Sequence, residues 1–439
     1  MPAVVSPRSP VDLRPGPAAA VAGRVLLPLV AQGAIVRRPP VTAWAQRHQV
    51  DRSAGALLRR LRDRYDGAPL VLRVGPRRLV LPVHPGDVEA LLAGSPEPFS
   101  PASREKRAAL RHFEPDAVLI SAPRARPARR VLNESALDTA EPVHRDATVL
   151  LEAVEREARA LLARARERGV LDWEGFAPGF WRVVRTVVLG AGGRDDERLT
   201  DLMLALRADA NWAYLRPRRD RLRAELSARL SAHVRRAEPG SLVARAARAA
   251  QGTGVDPAGQ VPQWLFAFDA AGAAVMRALA VLAARPGVRQ DLHDEASAGG
   301  AMLPFARACV LESVRLWPTT LVILRDAVAP TVWGRRELPA GTGFAVVSSF
   351  FHRDPDRLSF ADRFEPQAWL DGRADADWSL VPFSGGPVSC PGRNVVLLVT
   401  SHLLARLSEA DLTPGPGPAL TRDPLPATLD HLSVRLRVR

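Results

Sequence analysis

Apolar residues recur along most of this chain with the spacing of a helix. One stripe follows Pro142 and ends near Gly169, with side chains three or four residues apart: Leu150, Leu151, Val154, Leu161 and Leu162. Residues 52–66 and 395–407 carry similar patterns, and residues 87–93 predict a short helix. From Gly169 to about residue 320 almost all the periodicity is helical, so the pattern predicts a mainly helical protein.

Strand signals are few and short. Two apolar runs, 70–74 and 79–83, flank Gly75-Pro76 and predict a hairpin. Residues 321–332 and 344–348 are typical of strands, and strict alternation from 432 to 438 predicts a last one. The predicted fold class is therefore mainly α with a minor β region.

The pattern gives no reason to divide the chain into several domains. It contains no internal repeat, and the Pro-Gly run at 414–418 lies too late to separate two units. The first 20 or so residues are rich in Pro, Ala and Gly, which predicts a mobile tail. We expect residues 1–34 to form this tail and the start of the fold, and residues 35–439 to form a single domain.

Composition narrows the class of protein further. The 47% hydrophobic and 25% charged residues are typical of a globular protein and exclude a largely disordered chain. The net charge of +14 favours no nucleic-acid partner, because Lys106 is the single lysine among 61 basic residues. That bias indicates a GC-rich genome, or a basic face that meets an acidic protein.

Targeting and redox signals are weak. Two cysteines, Cys309 and Cys390, are too few for a disulfide framework. We find no stretch that approaches the ~20 apolar residues of a spanning helix. A cytoplasmic protein without a membrane segment is the resulting expectation.

Several familiar catalytic motifs are missing. Residues 187–193 resemble a dinucleotide-binding turn, but the third glycine falls at Asp195 and a capped helix end explains them better. The sequence holds no HExxH motif, no zinc-finger spacing, no GxSxG elbow and no phosphate loop. Hydrolase, kinase and zinc-enzyme functions are therefore disfavoured.

The strongest chemical signal surrounds Cys390. Residues 383–393 read FSGGPVSCPGR and precede a long apolar helix. A thiol at the foot of a helix meets backbone N–H groups and a positive dipole, which favour the thiolate. Gly385, Gly386 and Gly392 would allow the backbone to fold tightly around the sulfur. These features suit a soft metal ligand, although a cysteine before a helix is more often a core residue.

The order FxxGxxxCxG resembles the haem-binding loop of the cytochrome P-450 superfamily. Three further segments match that family in the right order: LESVRLWP at 311–318, SSFFHRD at 348–354 and DRFEP at 362–366. The resemblance covers about residues 35–439. It implies a single-domain triangular helical prism that encloses haem b, with Cys390 as the thiolate ligand of the iron.

The resemblance also implies roles for residues around the haem. Glu312, Arg315 and Arg363 would form a buried Glu-Arg-Arg triad, since such charges are costly inside a protein unless paired. The loop residues that bind the cofactor are Phe383, Gly386, Cys390 and Gly392. Cys309 is expected only to pack.

The helix expected to cross the distal haem face departs from the family pattern. Asp269 stands at the position of the family's acid, and Ala270 replaces the threonine that helps to relay protons. Either the substrate or an ordered water supplies the missing hydroxyl, or the oxidant is peroxide. Asp269 would alternatively face bulk solvent.

An apolar substrate pocket is expected next to this helix. Its predicted lining is Phe266, Ala267, Ala271, Leu321 and Val322, and Phe266 would narrow it unless its ring turns into the core. Residues 95–120 and 200–235 would form a variable roof.

The haem propionates need cationic partners. The resemblance points to Arg129 and Arg325. Two positions where the family often has a partner carry Ala125 and Val388 instead, and Arg124 or Arg126 would compensate.

These observations predict a soluble bacterial-type monooxygenase that inserts one oxygen atom from O2 into a small organic, natural-product substrate. The alternatives are a peroxide-driven peroxygenase and a haem-binding protein that has lost oxygen chemistry. The expected electron donors are a ferredoxin and a ferredoxin reductase, and acidic ferredoxins would suit the arginine-rich surface. We expect no nucleic-acid or membrane partner and a monomer.

Overall fold

Helices dominate the computed structural model, which describes residues 3–33, 35–75 and 77–439. The first half contains α1 Pro15–Val21, α2 Leu27–Ala31, α3 Pro39–His48, α4 Val50–Arg64, α5 Pro85–Ala93, α6 Arg104–Leu110, α7 Arg126–Ala136, α8 Ala147–Arg168 and α9 Trp173–Leu189. The second half contains α10 Glu197–Ala210, α11 Asp220–Arg236, α12 Leu242–Ala249, α13 Val261–Ala284, α14 Pro286–Ala298, α15 Pro304–Leu316, α16 Ser348–His352 and α17 Arg393–Ser408.

The strands are short and form three small sheets. They are β1 Ala3–Ser6, β2 Val11–Asp12, β3 Leu70–Val74, β4 Arg77–Leu81, β5 Phe99–Ser100, β6 Val170–Asp172, β7 Val322–Ala327, β8 Thr331–Trp333, β9 Arg336–Leu338, β10 Gly343–Val347, β11 Leu412–Pro414 and β12 Arg435–Val438. The sheet orders are β2-β3-β4-β10-β7-β5, β1-β8-β9 and β11-β12-β6. The predicted class, mainly α with a minor β region, is confirmed.

The helical core is built around α13. This helix packs against α9, α15 and α17, and α8 packs against α9 and α17. Leu, Val and Ala fill the contacts, as expected for a chain with 5% aromatic residues. A second core lies under the six-stranded sheet and includes Phe344, Phe350 and Phe351. The two cores hold the loop before α17 and the strand β7 in fixed places.

One helical segment is long and apolar enough to cross a membrane, which corrects the expectation that no stretch approaches this length. It covers Pro257–Ala284, with a mean hydropathy of 1.8. In this structure 72% of its apolar window is buried inside the protein. The segment is therefore the central core helix of the fold.

The expectation of a mobile N-terminal tail is wrong for the described residues. Strand β1 pairs in parallel with β8, and Ser6 Oγ donates a 2.5 Å hydrogen bond to Asp87. Val21 and Val25 are buried in the second core. The prediction of a mobile tail failed because alanine and proline, on which it was based, also suit a helix that begins at Pro15. The boundary predicted at residue 34 lies outside the described residues.

Most local predictions match an element. The predicted hairpin is β3 and β4, paired from Leu70↔Leu81 to Val74↔Arg77, although Pro76 of its turn lies outside the described residues. The glycine-rich run after residue 187 ends α9, where Gly190 has φ +94°. The C-terminal strand is shorter than its alternation suggested, because residues 431–433 form a turn.

Candidate functional site

The loop that carries Cys390 is held tightly against the neighbouring chain. The Cys390 backbone N–H donates to the carbonyl of Phe383 at 3.0 Å, which closes the loop directly before α17. Gly386 has φ +65°, and a Cβ there would lie 2.2 Å from the carbonyl oxygen of Leu92. Only glycine fits this position, because both its conformation and the close backbone approach exclude a side chain.

The other two glycines of this loop do not have the conformation that the sequence suggested. Gly385 and Gly392 have φ −156° and −90°, which any residue adopts. Gly385 is needed for space, since a Cβ there would lie 2.5 Å from the ring of Trp378. The second left-handed residue of the loop is Ser384, with φ +62°. Sequence reasoning missed it because serine gives no conformational signal.

The Cys390 residue is half-buried in this loop. Burial raises the pKa of the Cys390 thiol, while the N–H groups of Gly392 and Arg393 and the charge of Arg130 act in the opposite direction. In the protein alone burial therefore outweighs the helix terminus, and the thiolate expected from sequence needs a bound metal to stabilise it.

Two cationic side chains contact this loop, and two more lie close enough to one of them to affect its pKa or to have their own pKa affected. Arg130 Nη1 donates to the carbonyl of Ser389 at 2.7 Å, next to the cysteine. Arg325 is 2% exposed and donates to Ser95 and Ser384. Arg126 and Lys106, which complete the group, donate to the backbone oxygens of Val118 and Leu324.

These cations lower one another's pKa. Burial, together with the charge of Arg126, lowers the pKa of Arg325 to about 10. Burial and the charges of Arg325 and Arg126 lower the pKa of Lys106 to about 7, although Asp326 acts in the opposite direction. Among the described residues neither Arg126, Arg325 nor Lys106 forms an ion pair within 4 Å. The cluster therefore carries positive charge that no carboxylate of the described residues balances within this distance.

Arg129 does not join this cluster, which corrects its predicted role. Its guanidinium donates to Ser121 and to the carboxylate of Asp116, both at about 3 Å from the nitrogens. Helix α7 begins at Arg126, so the residues four apart that share the inner face are Arg126 and Arg130. The prediction failed by one residue because a run of arginines does not define its own register.

The first half of α13 presents one accessible side. Gln263, Phe266, Ala267 and Ala270 are half-buried, whereas Ala271 is buried. Spacings of three and four residues place the four on one side of the helix. The Phe266 ring meets the ring of Phe113 edge-on at 5.5 Å. Phe113 is buried in the helical core, so the Phe266 ring packs against that core, and a narrowing of the pocket by this ring stays a prediction.

Asp269 forms an ion pair rather than facing bulk solvent. Arg207 Nη2 on α10 lies 2.5 Å from Asp269 Oδ2, and Arg207 is 2% exposed. The same guanidinium lies over the Phe266 ring, with its carbon 4.8 Å from the centroid. Ala270, the next residue on α13, adds no polar atom. The one carboxylate on this part of the helix is therefore held by a buried arginine.

The predicted triad is present only in part. Both Glu312 and Arg315 are fully buried on α15, and two hydrogen bonds of 2.7 and 2.6 Å join them. Glu312 also accepts from the backbone N–H of Glu365 and from Trp369 Nε1, each at 2.8 Å. The Arg363 side chain is exposed, and only its carbonyl accepts from Arg315. The role predicted for Arg363 is wrong because the Glu312 oxygens are already satisfied.

The remaining predicted pocket residues lie at the start of β7. Leu321 and Val322 are half-buried, and Leu324 on the same strand is half-buried too. Lys106 reaches the carbonyl of Leu324, so this strand connects the predicted lining to the cationic cluster. The same strand carries Arg325, so these residues lie next to the cationic cluster.

The residues present fit a haem. A deep cysteine in a closed loop supplies a soft ligand, and the anion-poor cluster of Arg126, Arg325 and Lys106 matches the two carboxylates of a porphyrin. Sequence reasoning left Arg126 as one option and missed Lys106 and Arg130. The signals were available: Lys106 is the single lysine of the chain, and Arg126 and Arg130 are four apart.

Comparison with known proteins finds a family that matches part of the chain. Residues 269–407 match the family model described as cytochrome P450, and this segment contains Asp269, the Glu312–Arg315 pair and Cys390. This part of the chain is similar to the cytochrome P450 family. That family implies a haem iron cofactor, and Cys390 is the residue that the motif assigns to the iron.

Several curated cytochromes P450 and monooxygenases resemble part of the chain. Cyclooctat-9-en-7-ol 5-monooxygenase of Streptomyces melanosporofaciens is 31% identical over 153 residues, 32% of this chain and 33% of that protein. A beta-amyrin 28-monooxygenase of Saponaria officinalis is 28% identical over 130 residues, 29% of this chain and 26% of that protein. The mitochondrial 1,25-dihydroxyvitamin D(3) 24-hydroxylase of Mus musculus is 32% identical over 97 residues, 22% of this chain and 19% of that protein. The matched part thus spans a third or less of each of these relatives.

Proposed function

We propose that this chain is a haem-thiolate monooxygenase of the cytochrome P450 family that inserts one oxygen atom from O2 into a small, largely apolar natural product. The observation that carries the proposal is the closed loop of Cys390, which Arg130 and Arg325 contact, next to cations that form no ion pair among the described residues. The names of the relatives support a terpenoid substrate, since cyclooctat-9-en-7-ol and beta-amyrin are polycyclic terpenoid alcohols.

Haem b is the form of the cofactor that we propose. When bound, the iron porphyrin supplies the oxygen chemistry. The chain supplies the rest: Cys390 Sγ holds the iron, and Arg126, Arg325 and Lys106 hold the two carboxylates. The half-buried side of α13 positions the substrate and limits water.

Asp269 is the group of this chain that we propose to hold and move protons on the distal side. Its Oδ2 is bound to Arg207, and Ala270 offers no hydroxyl beside it. The proton path therefore runs through water or through a hydroxyl of the substrate. The absent hydroxyl also favours the second candidate function, a peroxide-driven peroxygenase, which would turn over with peroxide and without an electron donor.

The test of the thiolate assignment uses two cysteine variants. The carbon monoxide adduct of the reduced protein should show sulfur-type absorption, Cys390→Ser should lose it, and Cys309→Ala should keep it, because Cys309 is a buried packing residue. A colourless protein after haem reconstitution, or an imidazole-type adduct in the native protein, would refute the proposal.

Replacement of Asp269 tests the proton role. In Asp269→Asn we expect the fraction of consumed electrons that appears in product to fall about tenfold or more, since a positioned proton donor contributes 10²–10⁴-fold. Oxygen consumption and product formation are measured together, with Asp116→Asn as the control at an exposed carboxylate. Unchanged coupling would show that Asp269 carries no relay.

Electron donors, location and oligomeric state belong to the same proposal. A ferredoxin and its reductase would supply electrons, and exposed arginines such as Arg393, three residues after Cys390, suit an acidic donor. We propose a cytoplasmic monomer, because the most apolar helix is buried in the core. Cell fractionation and light scattering check these two points.

A further inference from the structure

The two backbone carbonyl groups next to Cys390 in the chain each accept a hydrogen bond from a distant side chain. Arg130 Nη1, on α7, donates to the Ser389 carbonyl at 2.7 Å. Thr139 Oγ1, three residues after the end of α7, donates to the Pro391 carbonyl at 2.8 Å. The loop is therefore held on both sides of the cysteine by a part of the chain more than 250 residues away.

The backbone that carries the Thr139 hydroxyl is itself fixed by three contacts. Asn394 Nδ2, in the first turn of α17, donates to the Thr139 carbonyl at 3.1 Å. The Thr139 N–H donates to the carbonyl of Glu134 at 3.1 Å. The preceding residue, Asp138, is buried, and its carboxylate accepts from Arg145 Nε at 2.9 Å. The half-buried Thr139 thus has a defined place beside the loop and the start of α17.

The Pro391 carbonyl belongs to the same planar peptide unit as the Gly392 N–H. Gly392 lies beside the sulfur, since a Cβ on this residue would be 4.0 Å from Cys390 Sγ. Its N–H is close enough to the sulfur to act as a hydrogen-bond donor that favours the thiolate. In a trans peptide the carbonyl and the N–H point in opposite directions. The bond from Thr139 at one end of the unit therefore keeps the N–H at the other end directed at the sulfur.

This arrangement affects the sulfur electronically as well as geometrically. Hydrogen bonds that follow one another in a chain polarise one another, so a carbonyl that accepts from Thr139 makes the Gly392 N–H a stronger donor. Donors to a metal-bound sulfur withdraw electron density from it, and hydrogen bonds around the sulfur are one means by which a protein sets the potential of the metal. Loss of the Thr139 hydroxyl would leave the sulfur richer in electrons and favour the oxidised iron.

We propose that Thr139 is a positioning residue for the haem thiolate, because its hydroxyl holds the Pro391–Gly392 peptide with the N–H on Cys390 Sγ and thereby raises the reduction potential of the iron. This inference rests on the proposed function. It adds a residue outside the Cys390 loop to the groups that determine the properties of the sulfur ligand.

The test removes the Thr139 hydroxyl at almost constant volume. The holoenzyme is titrated with a reductant at controlled potential, and its absorption gives the ratio of reduced to oxidised iron. At the potential where the native protein is half reduced, this ratio should fall about threefold in Thr139→Val, which is in the range that one hydrogen bond supplies. Thr139→Ser keeps the donor and should stay within about 1.5-fold of the native ratio.

Thr186→Val is the matched control. Thr186 is half-buried too, and its hydroxyl also donates to a backbone carbonyl, that of Arg182, at 2.8 Å. This variant should keep the native ratio. Resonance Raman spectra give a second measurement, in which the iron–sulfur stretching vibration should rise in frequency in Thr139→Val and not in Thr186→Val. Both measurements report on the sulfur, so a role of Thr139 in stability alone would not change them.

A ratio in Thr139→Val within about 1.5-fold of the native one would refute the positioning role. An equal change in Thr139→Ser or Thr186→Val would refute it as well. If Thr139→Val does not take up haem, Thr139→Ala gives the same comparison. Failure of both variants to take up haem while Thr139→Ser does so would show a structural role instead and overturn the proposal. Failure of the proposed function shows differently, since the native protein would then give no sulfur-type carbon monoxide adduct.

Discussion

At the scale of single residues, the site is marked by cations that form no ion pair with any residue that the structure describes. A buried cation without an anion is costly, so a chain that keeps three together has a reason to do so. Arg126, Arg325 and Lys106 lie close enough together for their charges to interact, whereas Arg129 forms an ion pair with Asp116. The difference between neighbouring arginines gives a direct test.

Arg126→Gln should release haem faster than the native protein, by about tenfold or more, since hydrogen bonds to charged groups contribute ~1.5–3 kcal/mol. Arg129→Gln should change the rate less than threefold, because exposed pairs contribute ~0–1 kcal/mol. Transfer of haem to an excess of a haem-scavenging protein, followed by absorbance, gives both rates. The reverse order of effects would restore Arg129 as the propionate partner.

Lys106 should make the retention of haem dependent on pH. Its pKa is about 7 without an anion, and a bound carboxylate raises it, so the lysine is charged at low pH and loses its charge as pH rises through the higher value. Haem release should therefore accelerate between about pH 7 and 10. Lys106→Met should release haem faster at pH 7 and show a flatter profile.

The neighbouring residue provides a matched control for this profile. Arg107 lies on the same helix α6 but is exposed, so Arg107→Met should behave as the native protein does. Identical pH profiles for the native protein and Lys106→Met would contradict the assignment of Lys106 to a carboxylate.

At the scale of elements, the Glu312–Arg315 pair connects α15 to the segment that follows α16. Arg315 donates to the carbonyls of His352, Phe360, Ala361 and Arg363. Glu312 accepts from Glu365 and Trp369. The pair therefore joins a helix to an irregular segment through buried hydrogen bonds.

Arg315→Leu should destabilise the protein by about 3–5 kcal/mol, because it leaves the Glu312 carboxylate buried and unpaired. Arg363→Leu should cost less than about 0.5 kcal/mol, since its side chain is exposed. Urea midpoints of the two haem-loaded variants give the comparison. Equal losses would indicate that the Arg363 side chain takes part in the pair after all.

At the scale of the whole molecule, the buried Glu114 should make stability depend on pH. Its folded pKa is raised above the ordinary 4.5, so between the two values the folded state holds a proton that the unfolded state has lost. Stability then falls by about 1.4 kcal/mol per pH unit as pH rises through this window.

Replacement of the Glu114 carboxyl should remove this pH dependence of stability. Glu114→Gln, compared with the native protein by urea unfolding at pH 5, 6, 7 and 8, should gain relative stability as pH rises. The control is Glu105→Gln, which replaces a more exposed carboxyl on the adjacent helix. Its stability should change with pH as that of the native protein does. If the stability of Glu114→Gln changes with pH as that of the native protein does, Glu114 is ionised in the folded state.

The sequence predicted the fold class, the hairpin, the loop of Cys390 and the Glu312–Arg315 pair because each has a local pattern. It did not predict which of several arginines faces inward, since a one-residue change of register moves a side chain about 100° around a helix. The N-terminal strand was missed because its partner, β8, lies more than 300 residues away. The hydrogen bond from Thr139 to Pro391 likewise depends on packing between distant segments.

The solitary lysine has a practical consequence for chemical labelling. An amine-reactive dye meets only two kinds of amine in this chain, the terminal one and Lys106 Nζ, and a pKa near 7 leaves much of the latter unprotonated and nucleophilic at mild pH. Acylation of that nitrogen should be fast in cofactor-depleted material and blocked once the cofactor is loaded. Mass spectrometry of the peptide around residue 106 would then read out occupancy without any optical signal from iron.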